Sequence, residues 1–327
     1  MKTQAKRILS VTMTVIMLFA AVSAVTVNAQ EAAGDTVKVI VKNTNFAKAD
    51  GAVWDGVLLN TDVALTAEDT MMTAIVKALE SNSYTIDVSK GYITEVNGLS
   101  EYANKGSGGW MATLNDWFTA DGASSYTVSN GTLNAGDEIT VMYSNDWGED
   151  CGGHFGNFDT SLLNLTVDGA SLTKAFSSEQ TEYSLSVSSR TADIKVIPEA
   201  NNKNYQARVY KNDYLPAQNG VQYKSTLSVK AGDTVYIGIG NSAWPSMNSW
   251  SGTADETVYT LNVVYTPVKG DIDGDGQVKV ADVTLGQQYL AEFLTLDDDA
   301  VAAGDINGDG KITIGDITNI QRIIAEY

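Results

Sequence analysis

The chain has 327 residues, with 40 acidic and 21 basic side chains and a formal net charge of −19. So acidic a surface argues against nucleic acid and anionic membranes as partners and suits a medium that supplies divalent cations. A single cysteine, Cys151, permits no internal disulfide, so each fold must be stable without staples.

Residues 1–29 read as a targeting segment. Lys2, Lys6 and Arg7 form a basic start, residues 11–25 a mostly apolar core, and 27–29 a small-residue cleavage site ahead of Gln30. No later segment offers the roughly 18 uninterrupted apolar residues of a membrane span. The expectation is a secreted protein, extracellular or in a cell-surface complex. Cleavage removes three cations and no anions, taking the charge from −19 to −22. The remaining length suggests two or three domains. Frequent Gly, Ser, Thr, Asn and Tyr with short apolar runs points to β-rich modules.

Residues 36–148 read as one α+β module. Strands are expected at 37–41 and through 57–65. Thr66 to Asp69 looks like a capping box ahead of a helix, in which Met72, Ile75, Val76 and Leu79 recur on one stripe. Strand-like runs follow at 84–88, 92–96, 110–114 and 139–143, and a small mixed sheet would bury that stripe. The Gly-rich stretch 148–157 reads as a linker. Residues 158–266 alternate apolar and polar positions at 163–167, 183–187, 194–197, 234–239 and 259–264, the pattern of an all-β sandwich. Residues 266–270 read as a hinge.

The region 270–327 writes one loop twice, 34 residues apart. The first copy places Asp271, Asp273, Asp275 and Asp282 at loop positions 1, 3, 5 and 12. The second places Asp305, Asn307, Asp309 and Asp316 there. Gly276 and Gly310 hold position 6, where the sharp turn demands glycine. Ca²⁺ takes about 6–8 oxygens, which these side chains, the carbonyls of Gln277 and Lys311, and water can supply. Two calcium ions in two EF-hand-like loops are expected. Val278 pairs with Ile312, Val280 with Ile314, Val283 with Ile317, Tyr289 with Ile323 and Leu290 with Ile324, so each loop precedes an amphipathic helix. The segment carries 12 acidic and 3 basic residues. Without cations its carboxylates repel, and metal-dependent folding is expected.

These paired loops, with Asp at position 12, resemble a type I dockerin. The resemblance implies calcium-dependent docking of a helix face into a cohesin module of a scaffolding protein, as in cellulosomes. It assigns recognition to Val280, Ala281, Gln287 and Gln288 in the first copy, and to Ile314, Gly315, Gln321 and Arg322 in the second. The Ser-Thr pair common at the first two of these positions is absent from both copies. Residues 36–148 are similar to the domain of unknown function related to the C-terminal domain of transcobalamin. The carriers are the 37–41 strand, the 66–81 helix, 107–115 and 136–143, and the resemblance implies a β-grasp-like fold. In transcobalamin the corrinoid lies between that domain and a helical barrel, which this chain lacks. Residues 161–265 look like a cadherin-like β-sandwich on strand pattern. The fold expected is therefore multidomain: a leader (1–29), a β-grasp-like α+β domain (36–148), an all-β sandwich (158–266) and a small α dockerin (270–327).

Trp110 and Trp117 in the first module and Trp244 and Trp250 in a sandwich loop are candidate aromatic platforms for sugars or flat ligands, with core packing as the alternative. Cys151 and His154 share a stretch, yet a Gly-Gly spacer lacks the rigidity a nucleophile pair needs, and two ligands are too few for zinc. No catalytic residues emerge. The reading is a non-catalytic component of an extracellular complex in a polysaccharide-degradation setting, with upstream ligand- or carbohydrate-binding modules. The alternatives are a glycoside hydrolase or a small-ligand, corrinoid-binding protein.

Overall fold

A computed structural model describes residues 35–249, 251–252 and 254–326. The expected leader, 1–29, lies outside the described residues, as does Trp250.

The first domain opens with β1 (Thr36–Asn43) and β2 (Gly56–Ala64), an antiparallel pair. Val37, Val39 and Val41 alternate inward and are fully buried, as the period of two requires. Helix α1 (Met71–Ser81) follows, then a small antiparallel sheet of β3 (Ile86–Ser89), β4 (Tyr92–Val96) and β5 (Leu99–Ser100). Next come β6 (Gly109–Leu114), β7 (Trp117–Phe118) and β8 (Glu138–Ser144). The main sheet runs β2-β1-β8-β6-β7, with β1 and β8 parallel. Met71, Met72, Ala74, Ile75, Ala78 and Leu79 of α1 are buried in the core with β1 and β8.

The helix begins later than the sequence suggests. Thr70 is the N-cap, exchanging hydrogen bonds with Thr73 at 2.9 and 3.1 Å, so the reading of Thr66 to Asp69 as the capping box is corrected. Asp69 instead ties the approach together. It accepts from Thr66 N at 2.7 Å and Thr73 Oγ1 at 2.9 Å and pairs with Lys77 at 2.6 Å. Burial pushes its carboxyl up, but Lys77 and these donors prevail and hold it at about 2.

The second domain comprises β9 (Leu162–Asp168), β10 (Ser171–Leu172), β11 (Glu182–Val187), β12 (Thr191–Ala200), β13 (Ala207–Lys211), β14 (Thr226–Lys230), β15 (Thr234–Ile239) and β16 (Thr257–Tyr265). They form two sheets, β10-β11-β16-β15-β13 and β14-β12-β9, enclosing a core that includes Leu185, Ile194, Ile237 and Tyr259.

The stretch 148–157 is not a free linker. Lys203 N donates to Gly152 O at 2.9 Å, and Phe118 N donates to Lys203 O at 2.7 Å. Asn202 and Asn248, both buried, donate to Asn157 O at 2.8 and 2.7 Å. Glycines there give the chain left-handed turns at Gly148 and Gly152, and buried asparagines satisfy the freed carbonyls. Lys203–Asp116 (2.5 Å) and Lys224–Glu138 (2.8 Å) also bridge the two domains.

The tail adds α2 (Val280–Leu290), α3 (Asp298–Gly304) and α4 (Ile314–Ala325). Its core holds Ile272, Val283, Ala300, Ile312, Ile317 and Ile320. Nor is 266–270 the whole connection. Arg190 forms a two-pronged pair with Asp297 at 2.6 and 2.7 Å, and its amide donates to Gly274 O at 2.9 Å, seating the first loop against the sandwich.

Candidate metal centre and helix face

Each tail loop closes around its first aspartate. Asp271 Oδ1 accepts the amides of Gly274 and Asp275 at 2.9 and 3.1 Å, and Oδ2 that of Gly276 at 2.8 Å. Asp305 repeats this with Gly308, Asp309 and Gly310 at 2.7, 3.1 and 2.8 Å. The turns require left-handed backbone at positions 4 and 6, supplied by Gly274 and Gly276 (φ 74° and 88°) and by Gly308 and Gly310 (φ 77° and 88°). The position 4 glycines were missed from sequence, although both copies write Gly there.

Side-chain oxygens of Asp271, Asp273 and Asp275 lie within 4.8 Å of one another. Two ligands at about 2.4 Å from one cation are at most about 4.8 Å apart, so the trio fits a Ca²⁺ shell. Asp282 is placed otherwise. Its Oδ1 accepts from Ile272 N and Asp273 N at 2.8 and 3.0 Å and its Oδ2 from Lys279 N at 2.7 Å, so it locks the loop onto the first turn of α2. Asp316 does the same for α4, accepting from Ile306, Asn307 and Thr313 amides at 3.1, 3.3 and 2.9 Å.

The loops differ electrostatically. Burial raises the Asp271 carboxyl above the usual range, with Asp273 and Asp282 adding to the effect. The amides around Asp305, that of Gly310 foremost, lower its carboxyl instead. In the first loop Lys279 Nζ sits 2.7 Å from Asp275 Oδ2 and lowers that group; position 9 of the second loop is Thr313, which hydrogen-bonds Asp316 at 2.6 Å.

The tail packs through glycine, with Gly286 of α2 against α4 and Gly304 of α3 against the second loop. A Cβ on Gly286 would fall 2.1 Å from Ile317 Cδ1, and one on Gly304 would fall 2.5 Å from Ile312 Cδ1. Ile272 lies beside both positions. This packing turns Val283 and Ile317 inward and leaves Val280 and Ile314 outward, 67% and 76% exposed. Both stand at the first position of their helices, facing water, so core packing, the alternative to a recognition role, does not hold for them. Ala281, Gln287, Gln288, Gly315, Gln321 and Arg322 are exposed as well.

Among the aromatic candidates, Trp117 and Trp244 are buried and serve packing, which corrects their reading as ligand platforms. Trp117 packs edge-on to Tyr126; Trp244 donates to Pro216 O at 2.8 Å beneath the Arg208 guanidinium. Trp110 is half-buried, stacks on Trp54 at 5.7 Å and donates to Leu99 O at 3.0 Å. Cys151 Sγ lies 3.1 Å from Asn45 Nδ2, and burial pushes its thiol up to about 12, which disfavours the thiolate at neutral pH.

Comparison with known families agrees with this layout. Residues 269–325 match the dockerin type I domain, 162–266 the cadherin-like beta sandwich domain, and 68–145 a domain of unknown function, DUF4430. The last match begins just before α1, whereas the sheet it enters also contains β1 and β2. No curated protein matches the chain. No helix among the described residues is long and apolar enough to cross a membrane. The chain is thus multidomain and mostly β, and carries at its C-terminal end a dockerin domain, a type that binds calcium.

Proposed function

We propose that this is a secreted, non-catalytic component of a cellulosome-type complex, held to a scaffolding protein through calcium-dependent docking of residues 270–327 into a cohesin module. The carrying observation is the duplicated loop cage, which sets Val280 and Ile314 outward at equivalent positions. Two ions sit in EF-hand-like loops: one on Asp271, Asp273, Asp275, Asp282 and the Gln277 carbonyl, the other on Asp305, Asn307, Asp309, Asp316 and the Lys311 carbonyl. Each cation neutralises carboxylates that would otherwise repel, fixing the helices whose outer faces a partner grips. Val280, Ala281, Gln287 and Gln288 form one recognition set; Ile314, Gly315, Gln321 and Arg322 form the other. Gln288 and Arg322 differ in charge, so the two docking orientations are unequal.

Upstream, a β-grasp-like domain (36–148) and a cadherin-like sandwich (158–266) present a ligand- or carbohydrate-binding surface, in a polysaccharide-degradation setting. The test is retention of the full chain on an immobilised type I cohesin. Retention in calcium and release by chelator is expected. Equal recovery with and without calcium, or no retention in either condition, contradicts the reading.

A further inference from the structure

A cleft of about 910 Å³ opens in the first domain where β4, β6 and the 144–149 turn meet. Its walls carry Tyr92, Tyr102, Trp110 and Trp147, and Met247 of the sandwich reaches its edge. Tyr92 and Trp147 are each 72% exposed, so their rings stand in water, unlike the buried Trp54, Trp117 and Trp244. Large apolar groups left in water at a concave surface mark ligand sites.

The backbone holds two of these rings in an uncommon way. Tyr102 and Trp147 have φ of 60° and 50°, the left-handed region that bulky residues rarely adopt. Such conformations persist only when the surroundings hold them, and they cluster where a ligand is clamped. Next to them Gly108 has φ 91°, and a Cβ there would lie 2.7 Å from Tyr143 Oη, so the cleft floor must stay bare backbone.

The polar lining narrows the ligand. Glu101, Asp146 and Glu149 border the cleft, and none of them forms an ion pair among the described residues. Lys90 is the one cation in the lining, and Ser89, Thr94 and Ser144 add hydroxyls to it. Three acceptors to one cation disfavour anionic ligands. Asp146 and Glu149 are exposed, so solvent screens their charge and leaves hydrogen-bond acceptance as their main contribution. The matching ligand has apolar C–H faces to lie on aromatic rings and many hydroxyl donors along its edges.

We infer that this cleft binds a neutral pyranoside chain, with Tyr92, Tyr102 and Trp147 stacking on sugar faces and Glu101, Asp146 and Glu149 accepting from ring hydroxyls. This rests on the reading of the upstream domains as a binding surface and is independent of the tail. The test is calorimetry of the full chain in calcium with cellohexaose, xylohexaose and mannohexaose as separate probes. At least one probe should bind, with affinity little changed up to about 0.5 M salt because the ligand is neutral. Losing one stacking ring, in Trp147→Ala or Tyr92→Ala, should weaken binding about tenfold. Both side chains are exposed, so the variants should keep the wild-type melting temperature. Binding that survives both substitutions overturns the cleft while leaving the binding-surface reading in place. No heat from any probe, or binding of cyanocobalamin instead, overturns the pyranoside assignment. A calcium titration of the same sample reads the tail separately.

Discussion

The sandwich and the tail solve the problem of holding together in different ways. Among the described residues the sandwich core gathers eighteen buried apolar side chains from two facing sheets. The tail gathers six and buries Asp271, Asp282, Asp305 and Asp316 beside them. Apolar burial on the sandwich scale supports a fold unaided, whereas a segment of under 60 residues with so small a core needs a metal or a partner. Sandwich stability should therefore be indifferent to divalent cations, and tail stability conditional on them.

Chelation is the largest way to break this contrast. Three of the four described α-helices, α2, α3 and α4, belong to the tail, so removing calcium should abolish most of the helical circular dichroism while the β signal stays. Loss of both signals together would merge two regions held here to be separate. Asp271→Ala removes a ligand and three amide contacts at once; calorimetry should show at least a hundredfold weaker calcium binding in the first loop. An unchanged isotherm would remove Asp271 from the site.

Gly286→Val tests the packing. The added side chain meets Ile317 and Ile272, so the calcium-loaded tail should lose about 1–3 kcal/mol in denaturant melts, with the sandwich transition unmoved. Acid sharpens the comparison from the other side. Asp69 is held at about 2 when folded, below the ordinary carboxylate value of about 3.9. Its stabilisation is present above the unfolded value and is lost as pH falls from about 4 toward 2. The Asp69→Ala variant should therefore melt earlier than wild type at neutral pH, and the gap should close near pH 2. The smallest effect belongs to Lys279→Thr. Freeing Asp275 from an exposed ion pair should tighten the first loop about two- to fivefold.

The tail was the most legible region because its constraints are local. Loop positions 1, 3, 5, 6 and 12 follow from cation size and turn geometry, and repetition marks them. Its middle helix, α3, went unread, although Asp297 caps it by accepting from Ala300 N at 2.9 Å and Asp298 and Asp299 enrich its first turn. Nothing in the local sequence marks Gly286 or Gly304, since only residues distant in the chain, Ile317 and Ile312, show why no Cβ fits. Alternation marked β9, β11, β12, β15 and β16 of the sandwich, whereas β13 and β14 were not read from it. Pairing did not follow from it, because the parallel neighbours β1 and β8, or β11 and β16, are brought together by tertiary packing. The 148–157 stretch misled for the same reason: its glycines signal turns, and only Asn202 and Asn248, distant in sequence, show that those turns are fixed. Tyr92, Tyr102 and Trp147 carry no spacing that distinguishes a displayed ring from a buried one.

The most direct test of the central claim is a calorimetric titration of the full chain with Ca²⁺, followed through the helical signal. Two binding events that restore α2, α3 and α4 together are expected. A chain that keeps those helices under chelation and gives no heat with millimolar Ca²⁺ would contradict it.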